Sequence, residues 1–184
     1  MNTLRSFYGK FGRWPTHFAE VAAYAKSRRQ TVDQLLDEIY SQLGYFAEKT
    51  NSIVFEGAEG ANKIAVLMKS YAAEPVREIL GSRVADIRNF ETDEIRDIEG
   101  DLIPKTKMLV FKLEDETRIA VRPSGTEPKI KYYLFAQRQP EKERFASADL
   151  ERIKVEVGTR LEQLWDWLQK DADSRLTKTT ADTL

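Results

Sequence analysis

The densest chemistry in the chain lies in the run Arg122-Pro123-Ser124-Gly125-Thr126-Glu127-Pro128-Lys129. A phosphate dianion needs several donors converging on tetrahedrally arranged oxygens, and this run offers a guanidinium fork, two hydroxyls and exposed backbone amides. Gly125 has no Cβ and can take positive φ, which would turn the amides of Ser124, Gly125 and Thr126 inward as an anion-holding nest. Pro123 and Pro128 stiffen the two ends. Lys129 and Lys131 share one strand face beyond the loop, and Arg118 is placed to join them from the preceding strand. The same residues also describe a plain hairpin turn flanked by exposed basic side chains, which is the reading that composition alone favours.

The remaining candidates are weaker. Asp93, Glu94 and Asp97 can be drawn as metal ligands, but they sit in the acidic run Glu91–Asp101, which reads better as an exposed, solvated loop. His17 is the only histidine, near an irregular terminus and without an identifiable partner for general-base work. Trp165 and Trp167 fall on a long amphipathic helix, where packing accounts for them better than sugar stacking does. The chain has no cysteine, which excludes disulfides, thiolate zinc sites and a thiol nucleophile.

Lys plus Arg number 29 against 30 Asp plus Glu, so a net charge of −1 gives no chain-wide attraction to nucleic acid or to an anionic membrane. Any anion site has to be local. No stretch approaches the roughly 18 apolar residues of a membrane span, and Met1–Thr16 lacks a signal peptide's apolar core, so a cytoplasmic address is expected. A length of 184 residues suits one domain, or one domain with the remnant of a neighbour.

The elements that must position the loop can be read from periodicity. Phe18, Val21, Ala22 and Ala25 have helical spacing. Thr31 and Gln34 form a capping box at the head of a helix of about four turns, with Val32, Leu35, Leu36, Ile39 and Leu43 as its apolar stripe and Gly44 as its end. Ser52–Glu56 reads as a strand, Gly57–Gly60 as a turn, and Ala61, Ile64, Ala65 and Met68 as the stripe of a helix that Pro75 ends. Further strands are expected at Arg83–Phe90, Met108–Glu114, Thr117–Arg122 and Lys129–Gln137, the last three joined by connections short enough to make them antiparallel. In the last strand Ile130, Tyr132, Leu134 and Ala136 alternate with Lys129, Lys131, Tyr133 and Phe135, giving one face for a core and one for a cleft. A long helix from near Ser147 carries Leu150, Ile153, Val157, Leu161, Leu164 and Leu168 on one side, and residues 172–184 are expected to be a mobile tail.

The run RPSGTEPKIKYYLFA, Arg122 to Ala136, resembles the motif of the fourth, C-terminal domain of the α-D-phosphohexomutases, the phosphoglucomutase and phosphomannomutase superfamily. Residues Glu20–Ser52 resemble the end of that family's third domain and its link to the fourth, and EGAEGANKIAVLM, Glu56–Met68, follows the bacterial phosphoglucomutase pattern. The resemblance covers residues 18 to 137. It implies an α+β fold: an antiparallel sheet of about four strands with helices on one face, similar to the TATA-binding protein in architecture without carrying over its DNA binding. It divides the chain into an unmatched segment 1–17, a third-domain remnant and linker 18–50, a C-terminal domain 51–171 and the tail 172–184.

By the resemblance, Arg122, Ser124, Gly125 and Thr126, supported by Lys129, grip the phosphate of a hexose phosphate that is not being transferred. Family members move a phosphoryl group between two positions of a hexose through a phosphorylated serine, and they use magnesium. The sequence has no Ser-His pair of the nucleophile loop, no Asp-Gly-Asp-x-Asp-Arg metal loop and no Glu-Glu-Ser-Gly sugar loop. No catalytic residue, metal ligand or cofactor is therefore expected in this chain. The expected role is the substrate-phosphate-binding part of a phosphoglucomutase- or phosphomannomutase-type enzyme, inactive alone. Two alternatives are a free-standing sugar-phosphate-binding or regulatory module, and a subunit that completes a mutase in trans with the missing domains or another chain.

Overall fold

The computed structural model describes residues 14–57, 59–141 and 143–181. Their contacts divide into two units, one made of the chain before Phe46 with Gln139–Glu151, the other of Phe46–Arg138 with the chain from Arg152 onward. Among the described residues no helix is long and apolar enough to cross a membrane.

The first unit contains α1, Trp14–Ser27, and α2, Val32–Leu43. The capping box is present: the Gln34 amide donates to Thr31 Oγ1 at 3.2 Å, and the Thr31 amide donates to Gln34 Oε1 at 2.9 Å. Gly44 ends α2 with φ 101° and ψ 156°, so the chain leaves in an extended direction rather than in the left-handed helical well. The apolar stripe expected on α2 is mostly uncovered; Leu35 is buried, whereas Leu36, Ile39 and Leu43 are exposed. α1 starts earlier than its apolar spacing indicates, taking in residues from the segment left without an assigned fold, most of which lies outside the described residues.

The second unit is built on a six-stranded sheet in the order β1-β6-β5-β4-β3-β2, with β1 Tyr45–Val54, β2 Glu78–Ile79, β3 Ser82–Asn89, β4 Leu109–Leu113, β5 Arg118–Pro123 and β6 Lys129–Arg138. The pairings from β2 through β6 are antiparallel. Six strands replace the expected four for two local reasons. β1 reaches back to Tyr45 through Glu48-Lys49-Thr50-Asn51, a polar stretch on an edge strand with no fully buried residue, so it carries little apolar alternation. β2 is only two residues long and exists because Leu80 and Gly81, at φ 49° and 80°, fold it back onto β3 in a tight hairpin.

One face of the sheet is the core. Leu109, Phe111 and Leu113 of β4, Ile119 and Val121 of β5, and Ile130, Tyr132, Leu134 and Ala136 of β6 are buried. Over this unit's core run α3, Gly60–Ala73, through Ile64, Leu67 and Tyr71, and α4, Ser147–Ala181, through Ile153, Val157, Leu161, Leu164 and Leu168. Each such side chain removed from water contributes roughly 1.5–3 kcal/mol before the entropy of ordering is charged against it. Trp165 meets Tyr132 edge-on at 5.6 Å, and its Nε1 donates to the Asn51 side-chain oxygen at 3.1 Å, so it serves packing.

α4 does not stop at Asp171 as its leucine spacing suggests, and the expected irregular tail is helix through Ala181. The extension is held by a polar tether. Arg175 donates to Asp171 at 2.8 Å, to the Ser70 hydroxyl at 2.8 Å and to the Glu74 carbonyl at 3.0 Å, and its guanidinium lies 4.7 Å from the Tyr71 ring.

Candidate functional site

The loop between β5 and β6 is closed by its own backbone. The Ser124 amide donates to the Lys129 carbonyl at 2.9 Å, the Lys129 amide to the Glu127 carbonyl at 2.7 Å, and the Phe55 amide to the Pro128 carbonyl at 2.9 Å. These bonds fix both ends of the turn and leave its tip outward. Ser124 therefore cannot offer its amide to an anion, which corrects the three-amide nest expected from sequence. The amides of Gly125 and Thr126 donate to no protein acceptor among the described residues. Gly125 does not take positive φ, and a Cβ built on it would meet nothing within 4 Å. Nothing in the folded loop itself therefore demands glycine at this position.

Ser124, Gly125 and Thr126 line a cavity of about 650 Å³ whose opposite wall is α3. That wall is made by Ala61, Ala65 and Met68, three residues that sequence periodicity places on the buried stripe. The stripe is rotated: of its four residues Ile64 goes into the core, joined there by Leu67 and Tyr71, and Ala61, Ala65 and Met68 shape the cavity. Lys69 and Lys107 also line it, and sequence reading misses both because neither lies in the loop motif.

Arg122 and Lys129 do not line this cavity. Arg122 alternates with the buried Val121 and so projects from the sheet face away from α3, directly opposite Lys131 across the β5–β6 ladder. Lys129 is on that same face of β6 and is only 21% exposed; its Nζ lies 2.6 Å from Glu127 Oε2. That hydrogen bond, then the Lys129 charge, holds the Glu127 carboxyl below the usual carboxylate range, with a smaller contribution from Lys131 and slight opposition from burial. The five residues predicted to bind phosphate thus occupy one hairpin end, with the loop tip lining the cavity and the two cations on the sheet face away from α3.

The weaker candidates acquire ordinary roles. Asp93 accepts from the Asn89 amide at 2.7 Å and from the Thr92 hydroxyl at 2.9 Å, and these bonds keep its carboxyl below the usual range. Asp97 accepts from the Glu99 and Asp101 amides, so it builds a turn. Among the described residues no cluster of three or more His, Cys, Asp or Glu side chains could hold a metal ion. His17 is exposed on α1 and lies 3.6 Å from Glu20.

Comparison with known proteins finds similar chains. Residues 80–161 match the family described as phosphoglucomutase/phosphomannomutase, C-terminal domain. A phosphoglucomutase of Staphylococcus saprophyticus is 39% identical over 109 residues, 56% of this chain and 20% of that protein. One from Staphylococcus aureus is 36% identical over 121 residues, 63% of this chain and 21% of its own length. The chain spans about a fifth of the length of these relatives. Parafusin, a phosphoglucomutase from Paramecium solved in its open form, covers 74% of this chain and 23% of its own at a TM-score of 0.37 and 16% identity, a slight likeness. The match spans β3 through β6 with the loop at their centre, so this part of the chain is similar to the C-terminal domain of phosphoglucomutases and phosphomannomutases.

Proposed function

We propose that this region grips the phosphate of a hexose phosphate and leaves the chemistry of phosphoryl transfer to residues outside this sequence. The observation that carries the reading is the loop tip. Ser124, Gly125 and Thr126, which carry two hydroxyls and the unused amides of Gly125 and Thr126, line a cavity large enough for a phosphorylated sugar. Such a grip acts at a distance from the reacting bond. Energy from binding a remote group is used to orient the sugar, which raises the rate through positioning rather than through proton transfer.

The family uses magnesium; in this chain the Asp93 and Asp97 carboxylates accept from backbone amides, and among the described residues no group of three or more His, Cys, Asp or Glu is placed to hold a metal ion. No step is assigned to it in this chain.

The test is an NMR titration of the chain with glucose 6-phosphate. The amides of Gly125 and Thr126 should shift, and Arg122→Ala should weaken binding by about 1–3 kcal/mol through loss of a charge-assisted bond. Unmoved loop amides overturn the reading. Interconversion of glucose 1-phosphate and glucose 6-phosphate by this chain, given magnesium and glucose 1,6-bisphosphate, overturns the assignment of the chemistry elsewhere.

A further inference from the structure

We infer that the sheet face turned away from α3 binds single-stranded nucleic acid, with Tyr133 and Phe135 as stacking platforms for two bases and Arg118 as a contact for the phosphate backbone. The inference does not depend on the hexose phosphate reading, and these three residues lie outside the loop.

A net charge of −1 for the whole chain conceals a local imbalance. On this face β4 presents Val110 and Lys112, β5 presents Arg118, Ala120 and Arg122, and β6 presents Lys129, Lys131, Tyr133, Phe135 and Gln137. Half of these residues are cationic, none is acidic and none is buried. The flanking turns answer two of the cations: Glu116 pairs with Lys112 at 2.9 Å and Glu127 with Lys129 at 2.6 Å. Arg118 makes no ion pair among the described residues.

The strand register sets these groups in rows. Lys112, Arg118 and Phe135 are successive partners across β4, β5 and β6, and Val110, Ala120 and Tyr133 form the next row. Arg118 and Phe135 are therefore roughly 4.5–5.5 Å apart at Cβ, with Tyr133 diagonal to Arg118. Ala120 is small, so the row ending at Tyr133 is a shallow apolar floor beside a cationic rim. Phe135 is 39% exposed, and neither ring stacks on a cation or another aromatic group among the described residues. Two residues along a strand separate the rings by roughly 6.7 Å. That is about twice the 3.4 Å rise of stacked bases, so the spacing suits bases splayed apart, one on each ring, and not a stacked duplex.

The pairing of rings with cations selects the ligand. A basic face that serves only solubility needs no aromatic platform. An acidic polypeptide would satisfy the cations and leave the rings without planar partners. Single-stranded nucleic acid supplies an anionic backbone and a π-face at every step.

Fluorescence anisotropy of the chain with labelled oligouridylate and oligothymidylate of about fifteen nucleotides tests the inference, with a duplex of equal length and polyglutamate as comparisons. Either single strand should bind with a dissociation constant of about 1–100 µM at low salt, and the duplex several times more weakly. The tighter of the two strands identifies the preferred sugar. Tyr133→Leu and Phe135→Leu keep apolar bulk but lose the π-face, and each should weaken binding fivefold or more, whereas Tyr133→Phe should not. Arg118→Gln should make the slope of log affinity against log salt shallower by about 0.7. No single-strand binding at about 1 mM protein, ten times the weak end of that range, overturns the inference. So does polyglutamate binding as tightly as the oligonucleotides with the leucine variants unaffected, which would make the face a general anion surface. Binding that glucose 6-phosphate abolishes and that all three substitutions leave intact would place the nucleic acid at the loop and overturn it as well.

Discussion

The hydroxyls of Tyr71 and Tyr132 lie 3.1 Å apart in the buried layer between α3 and β6. Both residues are almost fully enclosed, at 2% and 0% exposure, and both rings pack edge-on against other aromatics. The pair joins the helix that walls the cavity to the strand that follows the loop, so one hydrogen bond helps fix the two sides of the site. Arg175, stacked on the outer side of Tyr71, adds the end of α4 to the same joint.

Removing one hydroxyl should cost more than removing both. Tyr132→Phe leaves the Tyr71 hydroxyl buried without its partner and should destabilise the protein by about 1–3 kcal/mol. The double variant Tyr71→Phe/Tyr132→Phe leaves neither group to satisfy and should recover part of that loss. Urea denaturation of the four proteins in the cycle measures the coupling; additive losses would mean that the hydroxyls are not bonded to each other.

The same pair makes stability fall in alkali. Burial pushes both phenols above their ordinary value near 10, reinforced at Tyr71 by the neighbouring Tyr132 and partly offset at Tyr132 by the Tyr71 hydrogen bond. Folded tyrosines therefore keep protons that the unfolded chain gives up. The stabilising contribution is complete below pH 10 and declines above it, by up to about 1.4 kcal/mol per pH unit for each phenol. Denaturation midpoints across that range should show a slope that the double phenylalanine variant reduces; an equal slope in both proteins would place the titrating groups elsewhere.

Much of the frame around the loop is legible in sequence because its residues obey strict periods. β6 alternates buried Ile130, Tyr132, Leu134 and Ala136 with charged or aromatic partners, and the capping box at Thr31 is a purely local interaction. What escapes is set by tertiary contact. Ala61, Ile64, Ala65 and Met68 look like a core stripe, but a helix of small and large apolar residues has more than one candidate face; Ile64 is buried as its spacing indicates, and only packing against the sheet adds Leu67 and Tyr71 in place of the other three. Ser124 looks free to bind an anion until the Lys129 carbonyl takes its amide. The helix beyond Asp171 has no leucine stripe, and a single arginine reaching to the end of α3 accompanies its continuation.

The β4–β5 turn holds a correctable strain. Glu116 has φ 64°, a left-handed conformation that costs an ordinary residue about 1–2 kcal/mol, and it is exposed. Its ion pair with Lys112 is at the surface and returns little. Glu116→Gly should therefore stabilise the protein by about 0.5–1 kcal/mol, whereas Glu116→Ala, which keeps the strain and loses the pair, should not. Thermal melts of the two variants decide it: equal shifts would show that side-chain contacts, not backbone conformation, govern the turn.

Gly125 separates the needs of the fold from the needs of the ligand. Its φ is one that any residue can adopt, and a Cβ would meet nothing within 4 Å, so Gly125→Ala should leave stability within about 0.5 kcal/mol of the parent. A phosphate approaching the Gly125 and Thr126 amides would come close to that added methyl group, or would require the loop to turn into a conformation that alanine resists. Hexose phosphate affinity should then fall severalfold while the denaturation midpoint stays put, as measured by calorimetric titration and urea unfolding on the same sample. Unchanged affinity would mean that the backbone of the tip is not the grip and that Arg122 and the hydroxyls hold the phosphate without it. A loss of stability would instead place the demand for glycine inside the fold.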